Sequence, residues 1–249
     1  MSQKRRFEKK TVIVTGAGSG IGLATARMFG AEGANVVLAD LNPGRLKEAE
    51  AHVRESGASG ALSLTCDVSD PTQVERTVKG TIDRFGRVDS IVNNAGLMIF
   101  KPLEEHSPED WTRVLGVDLM GSFHFIRQAF LHMKDGGSIV NVSSVHAVET
   151  TPQVASYAAA KAAVLSLTRS AAIEGKPKGI RVNAILPGAV DTPMLWQNPN
   201  IKLGLETINH SDVGKVEDIA AAITFLCSDD AAFIQGASLR VDGGRLARL

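Results

Sequence analysis

The chain has 249 residues, 44% hydrophobic and 22% charged, and its 27 Lys+Arg balance 27 Asp+Glu to a formal net charge of zero. That neutrality removes the general field that would draw it to nucleic acid or an anionic membrane, and no apolar run reaches the roughly 18 residues of a membrane span. Cys66 and Cys227 lie far apart and the six histidines lack ligand spacing, so no disulfide framework, redox pair or structural zinc is expected.

The segment Met1–Lys10 is basic, and Arg5-Arg6 has the look of a twin-arginine signal. Thr11–Thr15 followed by glycines is too short for the apolar region such a signal needs. These features predict a cytoplasmic protein with a small-molecule substrate and neither nucleic-acid nor membrane partners.

Short β-branched runs then alternate with longer amphipathic stretches. Strands are expected at Thr11–Thr15, Asn35–Ala39, Ala61–Cys66, Val88–Val92, Ser138–Val142, Ile180–Leu186 and Ala237–Val241. Helices are expected at Ile21–Glu32, Arg45–Glu55, Thr72–Phe85, Glu109–Met133, Ser156–Glu174 and Val216–Cys227. The strands are apolar nearly throughout, as strands covered on both faces are. This order predicts one α/β domain over residues 1–249, a doubly wound, Rossmann-type three-layer sandwich with a seven-stranded parallel sheet. Pro187–Gly214 reads as a long irregular segment, a length usually functional or mobile.

The first crossover carries Thr15-Gly-Ala-Gly-Ser-Gly-Ile-Gly22 and opens directly into a helix. Glycines let the backbone turn tightly and approach a diphosphate, whose charge the free N–H groups of the helix start attract. The same turn also serves a plain strand-to-helix connection. Asp40 ends the second strand, where a carboxylate accepts the hydroxyls of an adenosine ribose and repels a 2′-phosphate. Ser19, before Gly20, offers that phosphate no cation, so the cofactor expected is NAD. The other reading of Asp40 is a helix cap before Asn42-Pro43.

Tyr157-Ala-Ala-Ala-Lys161 places a phenol and an ammonium on one helix face, and Tyr157 is the only tyrosine. A phenol ordinarily ionises near pH ~10, and a close cation lowers that value. Tyr157 can then act as general base to an alcohol or general acid to a ketone. Ser144 follows a strand at the carboxyl edge of the sheet, where ligands bind in open α/β folds, and can hold the substrate oxygen. Tyr-x-x-x-Lys alone also fits a surface pair.

With these residues in place, the chain resembles the short-chain dehydrogenase/reductase family from Thr11 to Gly244. The resemblance rests on Thr15-Gly-x-x-x-Gly-x-Gly22, Asp67-Val68, Asn93-Asn-Ala-Gly96, Ser144, Tyr157-x-x-x-Lys161, Arg181-Val-Asn183, Pro187-Gly188, Thr192 and Val241-Asp-Gly-Gly244, in that order. It implies reversible hydride transfer between a nicotinamide and a carbinol carbon. Cofactor contacts are implied at Gly16, Ser19, Gly20, Ile21, Gly22, Asp40 and Leu41. Asp67 and Val68 would hold the adenine, and Asn94, Ala95 and Gly96 would flank its ribose. Tyr157 and Lys161 would reach the nicotinamide ribose, and Pro187, Gly188, Val190 and Thr192 would fix the nicotinamide. Asn93–Gly96 also reads as a strand-ending turn, and Asn183 as structural. The family is commonly tetrameric through the helices at Glu109–Met133 and Ser156–Glu174, which implies a homotetramer here.

The pattern breaks at Val117-Asp118-Leu119-Met120-Gly121, where the family usually has asparagine at the position of Asp118, in a helix irregularity that positions a relay water. Asp118 therefore joins Ser144, Tyr157 and Lys161 as a catalytic candidate. An anion near Lys161 would offset its effect on Tyr157 and shift activity to alkaline pH. Two other outcomes are a backbone carbonyl doing the work, with the side chain of little consequence, and impaired catalysis. Val216 stands where proline is common, without expected consequence. The substrate end is expected to include Met98, His146, Gln153, Met194, Leu195 and Trp196, a mostly apolar set suited to a secondary alcohol or ketone with hydrophobic bulk. His146 also reads as a solvated loop residue. Met194–Leu205 would form a lid. The alternatives are a 3-oxoacyl thioester reductase, usually NADPH-linked, and a nucleotide-sensing protein that has lost turnover.

Overall fold

The computed structural model describes residues 5–134, 136–202, 204 and 208–247. Among these, seven strands form one sheet: β1 (Thr11–Thr15), β2 (Asn35–Asp40), β3 (Gly60–Thr65), β4 (Ser90–Asn93), β5 (Gly137–Val142), β6 (Ile180–Pro187) and β7 (Ser238–Val241). Their order is β3-β2-β1-β4-β5-β6-β7, and every neighbouring pair is parallel. The helices are α1 (Gly20–Ala31), α2 (Pro43–Glu55), α3 (Pro71–Phe85), α4 (Pro108–Leu115), α5 (Gly121–His132), α6 (Ala155–Gly175), α7 (Pro193–Trp196), α8 (Pro199–Lys202) and α9 (Val216–Cys227).

The apolar strands are explained by two cores. Val12 and Val14 enter one, with Phe29 of α1, Leu46 of α2 and Ile223 of α9. Ile13, between them in sequence, enters the other with Val78 of α3, Phe125 of α5 and Ala171 of α6. Successive strand residues point to opposite faces, so a sheet covered twice needs apolar residues at every position. Phe29 and Phe125 are fully buried, each contributing about 2 kcal/mol by area.

The chain steps outward from β1 to β3, then returns to β4 on the other side of β1. The loops after β1 and β4 therefore diverge and leave a crevice at the carboxyl edge, which is where such folds bind ligands.

Most element ends differ from expectation by one or two residues, and three differences bear on the site. Helix α2 starts at Pro43 rather than Arg45, because Asn42 caps it by accepting from Gly44 N at 3.0 Å and Arg45 N at 3.2 Å, and proline suits the first helical position. The single helix expected over Glu109–Met133 is two, α4 and α5, separated by a π-helical turn at Gly116–Met120. The stretch Pro187–Gly214 holds α7, α8 and a 3-10 turn at His210–Asp212. Of the expected lid, Leu203 and Leu205 lie outside the described residues.

Candidate active site

The loop from β1 to α1 is built for close approach. A Cβ on Gly22 would stand 2.1 Å from the Gly16 carbonyl oxygen, so only glycine lets the helix start fold back on the loop. The loop is fastened to β4: Thr15 Oγ1 accepts from Asn94 N at 2.9 Å and Ala95 N at 3.0 Å, and Asn94 Nδ2 donates to Thr15 O at 2.9 Å. Asn94 was expected to flank a ribose. It lines the cavity, and its side-chain amide also fastens the loop. The loop geometry leaves the Ser19 hydroxyl uninvolved in capping α1.

Asp40 borders the same cavity. Its Oδ2 accepts from Gly18 N at 2.9 Å and its Oδ1 from Asn42 N at 2.9 Å. The helix-cap reading of Asp40 fails, since Asn42 takes that role. Arg45 lines this wall as well. Gly18 and Arg45 were both missed by sequence reasoning, the first because its contribution is a backbone N–H, the second because proximity across a turn leaves no motif. Asp67 and Val68 also line the wall, with Asp67 Oδ1 partly occupied by the hydroxyl and N–H of Ser69.

Along the same cavity, of about 1000 Å³, lie Ser144, Tyr157 and Lys161. β5 delivers Ser144, α6 delivers the other two, and Ser143 Oγ ties the elements by donating to Lys161 O at 2.8 Å. Lys161 Nζ donates to Val142 O at 3.0 Å and lies 5.4 Å from the centre of the Tyr157 ring. It also pairs with Asp118 Oδ1 at 2.9 Å, with the side chains 4% and 0% exposed. Asp118 Oδ2 accepts from Leu97 N at 2.8 Å. Asp118 sits in the π-helical turn, which directs it out of the helix toward Lys161. Both carboxylate oxygens of Asp118 are thus engaged, one by Lys161 and one by the Leu97 N–H.

The electrostatics correct one expectation. Burial pushes the Tyr157 phenol up; Lys161 pulls it down, Asp118 pushes it up again, and Ser144 pulls it down by hydrogen bonding. The net direction is above the ordinary tyrosine value, not below it as the Tyr–Lys spacing alone implied. Burial alone would lower Lys161, but Asp118 and Tyr157 outweigh it and hold the ammonium charged. Burial raises the Asp118 carboxyl against the pull of Lys161.

Toward the substrate end the wall is Leu97, Met98, Phe100, Val145, Met194 and Leu195. His146 also lines it, its ring edge-on to Tyr157 at 5.9 Å and its Nδ1 3.2 Å from Thr150 Oγ1. Gly22 of the expected cofactor contacts is not in the wall, and neither are two residues expected at the substrate end. Gln153 occupies a left-handed turn (φ 67°) whose carbonyl accepts from Lys101 N at 3.0 Å. Trp196 turns away to donate to Asp191 Oδ1 at 2.7 Å. Asn183 is structural, donating to Ile234 O and accepting from Ala237 N, both at 2.9 Å. Leu41, Gly96, Ile21, Pro187, Gly188, Val190 and Thr192 line the cavity as expected.

A family model described as enoyl-(acyl carrier protein) reductase matches residues 16–245. A 3β-hydroxysteroid dehydrogenase from Eggerthella lenta is 41% identical over 94% of this chain and 93% of its own. The crystal structure of levodione reductase superposes with a TM-score of 0.92 at 36% identity, covering 98% of this chain and all of that one. A 3-ketoacyl-(acyl-carrier-protein) reductase from Brucella melitensis, complexed with NADH, gives 0.88 at 35% identity, covering 96% and 98%. A glycine-built crevice running into a Ser–Tyr–Lys cluster defines an oxidoreductase acting on CH–OH groups. The chain belongs to the short-chain dehydrogenase/reductase family.

Proposed function

We propose that the chain interconverts a secondary alcohol of apolar bulk and its ketone with NAD(H). The observation that carries this reading is the single cavity joining Asp40 and the glycine loop to Ser144, Tyr157 and Lys161. The residues fit the cofactor. The start of α1 offers free N–H groups to a diphosphate, and Asp40 faces the place for a ribose with an acceptor rather than a cation. Gly16, Ser19, Gly20 and Ile21 would hold the diphosphate side, Asp40, Leu41, Asp67 and Val68 the adenosine, and Pro187, Gly188, Val190 and Thr192 the nicotinamide.

Bound NAD(H) supplies the acceptor or donor of the carbinol hydrogen. The remaining work falls to the chain. Ser144 Oγ holds the substrate oxygen beside the phenol. In oxidation Tyr157 takes the hydroxyl proton as phenolate; in reduction it returns that proton. Lys161 stabilises the phenolate and Asp118 holds Lys161 in place. The apolar wall excludes water and favours hydrophobic substrates, in keeping with relatives named for a hydroxysteroid and for levodione.

A homotetramer built on α4, α5 and α6, in the cytoplasm, belongs to the same proposal; light scattering of the purified protein tests the assembly. The assembled cluster weighs against a protein that only senses nucleotide, and Asp40 weighs against the NADPH-linked thioester alternative. The deciding experiment is a panel of alcohols, ketones and 3-oxoacyl thioesters read by NADH absorbance with NADPH in parallel. Turnover of apolar secondary alcohols with NAD supports the reading, and turnover confined to thioesters with NADPH overturns it.

A further inference from the structure

Lys161 and Asp118 form a buried ion pair that carries no net charge. Lys161 of α6 lines the cavity beside Ser144 and Tyr157, and Asp118 of the π-helical turn pairs with it at 2.9 Å from behind the wall; Arg113, Asp40, Arg45, Asp67 and Arg245 are other charged residues along the same cavity. His146 contributes a titratable ring on the same wall, edge-on to Tyr157. The pair packs beneath Gly96, whose Cβ, if it had one, would stand 3.1 Å from Asp118 Oδ1 and 3.4 Å from Lys161 Nζ. Gly96 and Lys161 both line the cavity, so the carboxylate acts on it from directly behind the ammonium. An uncharged asparagine at position 118 would leave the ammonium uncompensated.

A nicotinamide ring carries a positive charge when oxidised and none when reduced. A lone ammonium nearby disfavours the oxidised form, and in a site of low dielectric constant that repulsion is strong. From the Asp118–Lys161 pair beneath Gly96 we infer that Asp118 biases this site toward the oxidised cofactor, and so toward alcohol oxidation. It does so as a positioning residue: it neutralises Lys161 as seen from the cavity without touching substrate. The inference rests on the NAD(H) reading above and deepens it by assigning the direction that the site favours.

The test is binding, not turnover. NADH is titrated by fluorescence and NAD by calorimetry, for the unmodified chain and for Asp118→Asn. Asn keeps the shape and an acceptor for Leu97 N but loses the charge. The ratio Kd(NAD)/Kd(NADH) is expected to rise by about threefold or more in the variant. Asp118→Ser, which is smaller and equally uncharged, should move the ratio in the same direction, since charge rather than shape is at issue. A uniform loss of affinity for both nucleotides, with the ratio changed by less than about threefold, overturns the inference and leaves the NAD(H) reading standing. Failure of the unmodified chain to bind either nucleotide overturns both.

Discussion

At one end of the cavity, Asp40 is a partly exposed carboxylate held by two backbone N–H groups at 2.9 Å. At the other, Asp118 is a fully buried carboxylate held by a buried ammonium at 2.9 Å and one N–H at 2.8 Å. Solvent and backbone donors stabilise the first wherever the chain puts it, so it can be devoted to recognising a ligand. The second depends on its partner, because an unpaired charge in that setting is costly. On the proposed reading, the same functional group would select a cofactor at the open end and set proton and charge energetics at the closed end.

The comparison breaks most visibly if the open end is deformed. Gly22→Ala forces a Cβ to 2.1 Å from the Gly16 carbonyl, and the loop must shift away from its diphosphate geometry. NADH affinity is expected to fall about a hundredfold or more, read by fluorescence titration, with circular dichroism checking the fold. An affinity within a few-fold of the original would refute the cradle.

At the closed end, Lys161→Met strands the Asp118 carboxylate. Denaturant unfolding should report a loss of about 3–5 kcal/mol, and Lys161→Met with Asp118→Leu should recover most of it. If the single and double variants are equally stable, the pair is not a coupled unit.

Asp40→Asn removes the charge that repels a 2′-phosphate while Arg45 stays on the same wall. The preference for NAD over NADP, measured as a ratio of kcat/KM, should drop about tenfold. An unchanged ratio would mean that the open end does not select by charge.

The smallest effect expected is on pH. Asp118 pushes the Tyr157 phenol upward, and oxidation requires the phenolate. Removing the anion in Asp118→Asn lowers the phenol value, so the rising limb of the oxidation rate moves toward acid, by up to about one pH unit. A limb that stays in place, or moves toward alkali, contradicts the coupling.

Most of the fold was legible because the central strands β1, β2 and β4 are apolar through the middle and helices such as α2 and α3 begin at an Asn or Asp cap followed by proline. The helix break at Gly116–Met120 was not legible from periodicity: Val114 and Phe125 are both buried, and an inserted residue preserves an apolar pattern on either side. At the site, Tyr157, Lys161, Ser144 and Asp40 carry side-chain chemistry that spacing exposes. The roles of Gly18 and Leu97 were hidden because they act through backbone N–H groups, which every residue but proline has. The sign of the Tyr157 shift was hidden for another reason: an i, i+4 ammonium is a local feature, whereas the burial that outweighs it comes from packing of the whole α6 face. Gln153 and Trp196 were misplaced because nearness in sequence to Tyr157 and Met194 does not fix which way a loop side chain turns.

The claim on which the rest depends is that Tyr157 moves the proton. Its most direct test is Tyr157→Phe, which deletes one oxygen and keeps the ring against His146 and Lys161. With a proven secondary alcohol and saturating NAD, kcat is expected to fall about a hundredfold or more, while NADH affinity stays within about twofold. Oxidation at an undiminished rate in that variant would contradict the mechanism.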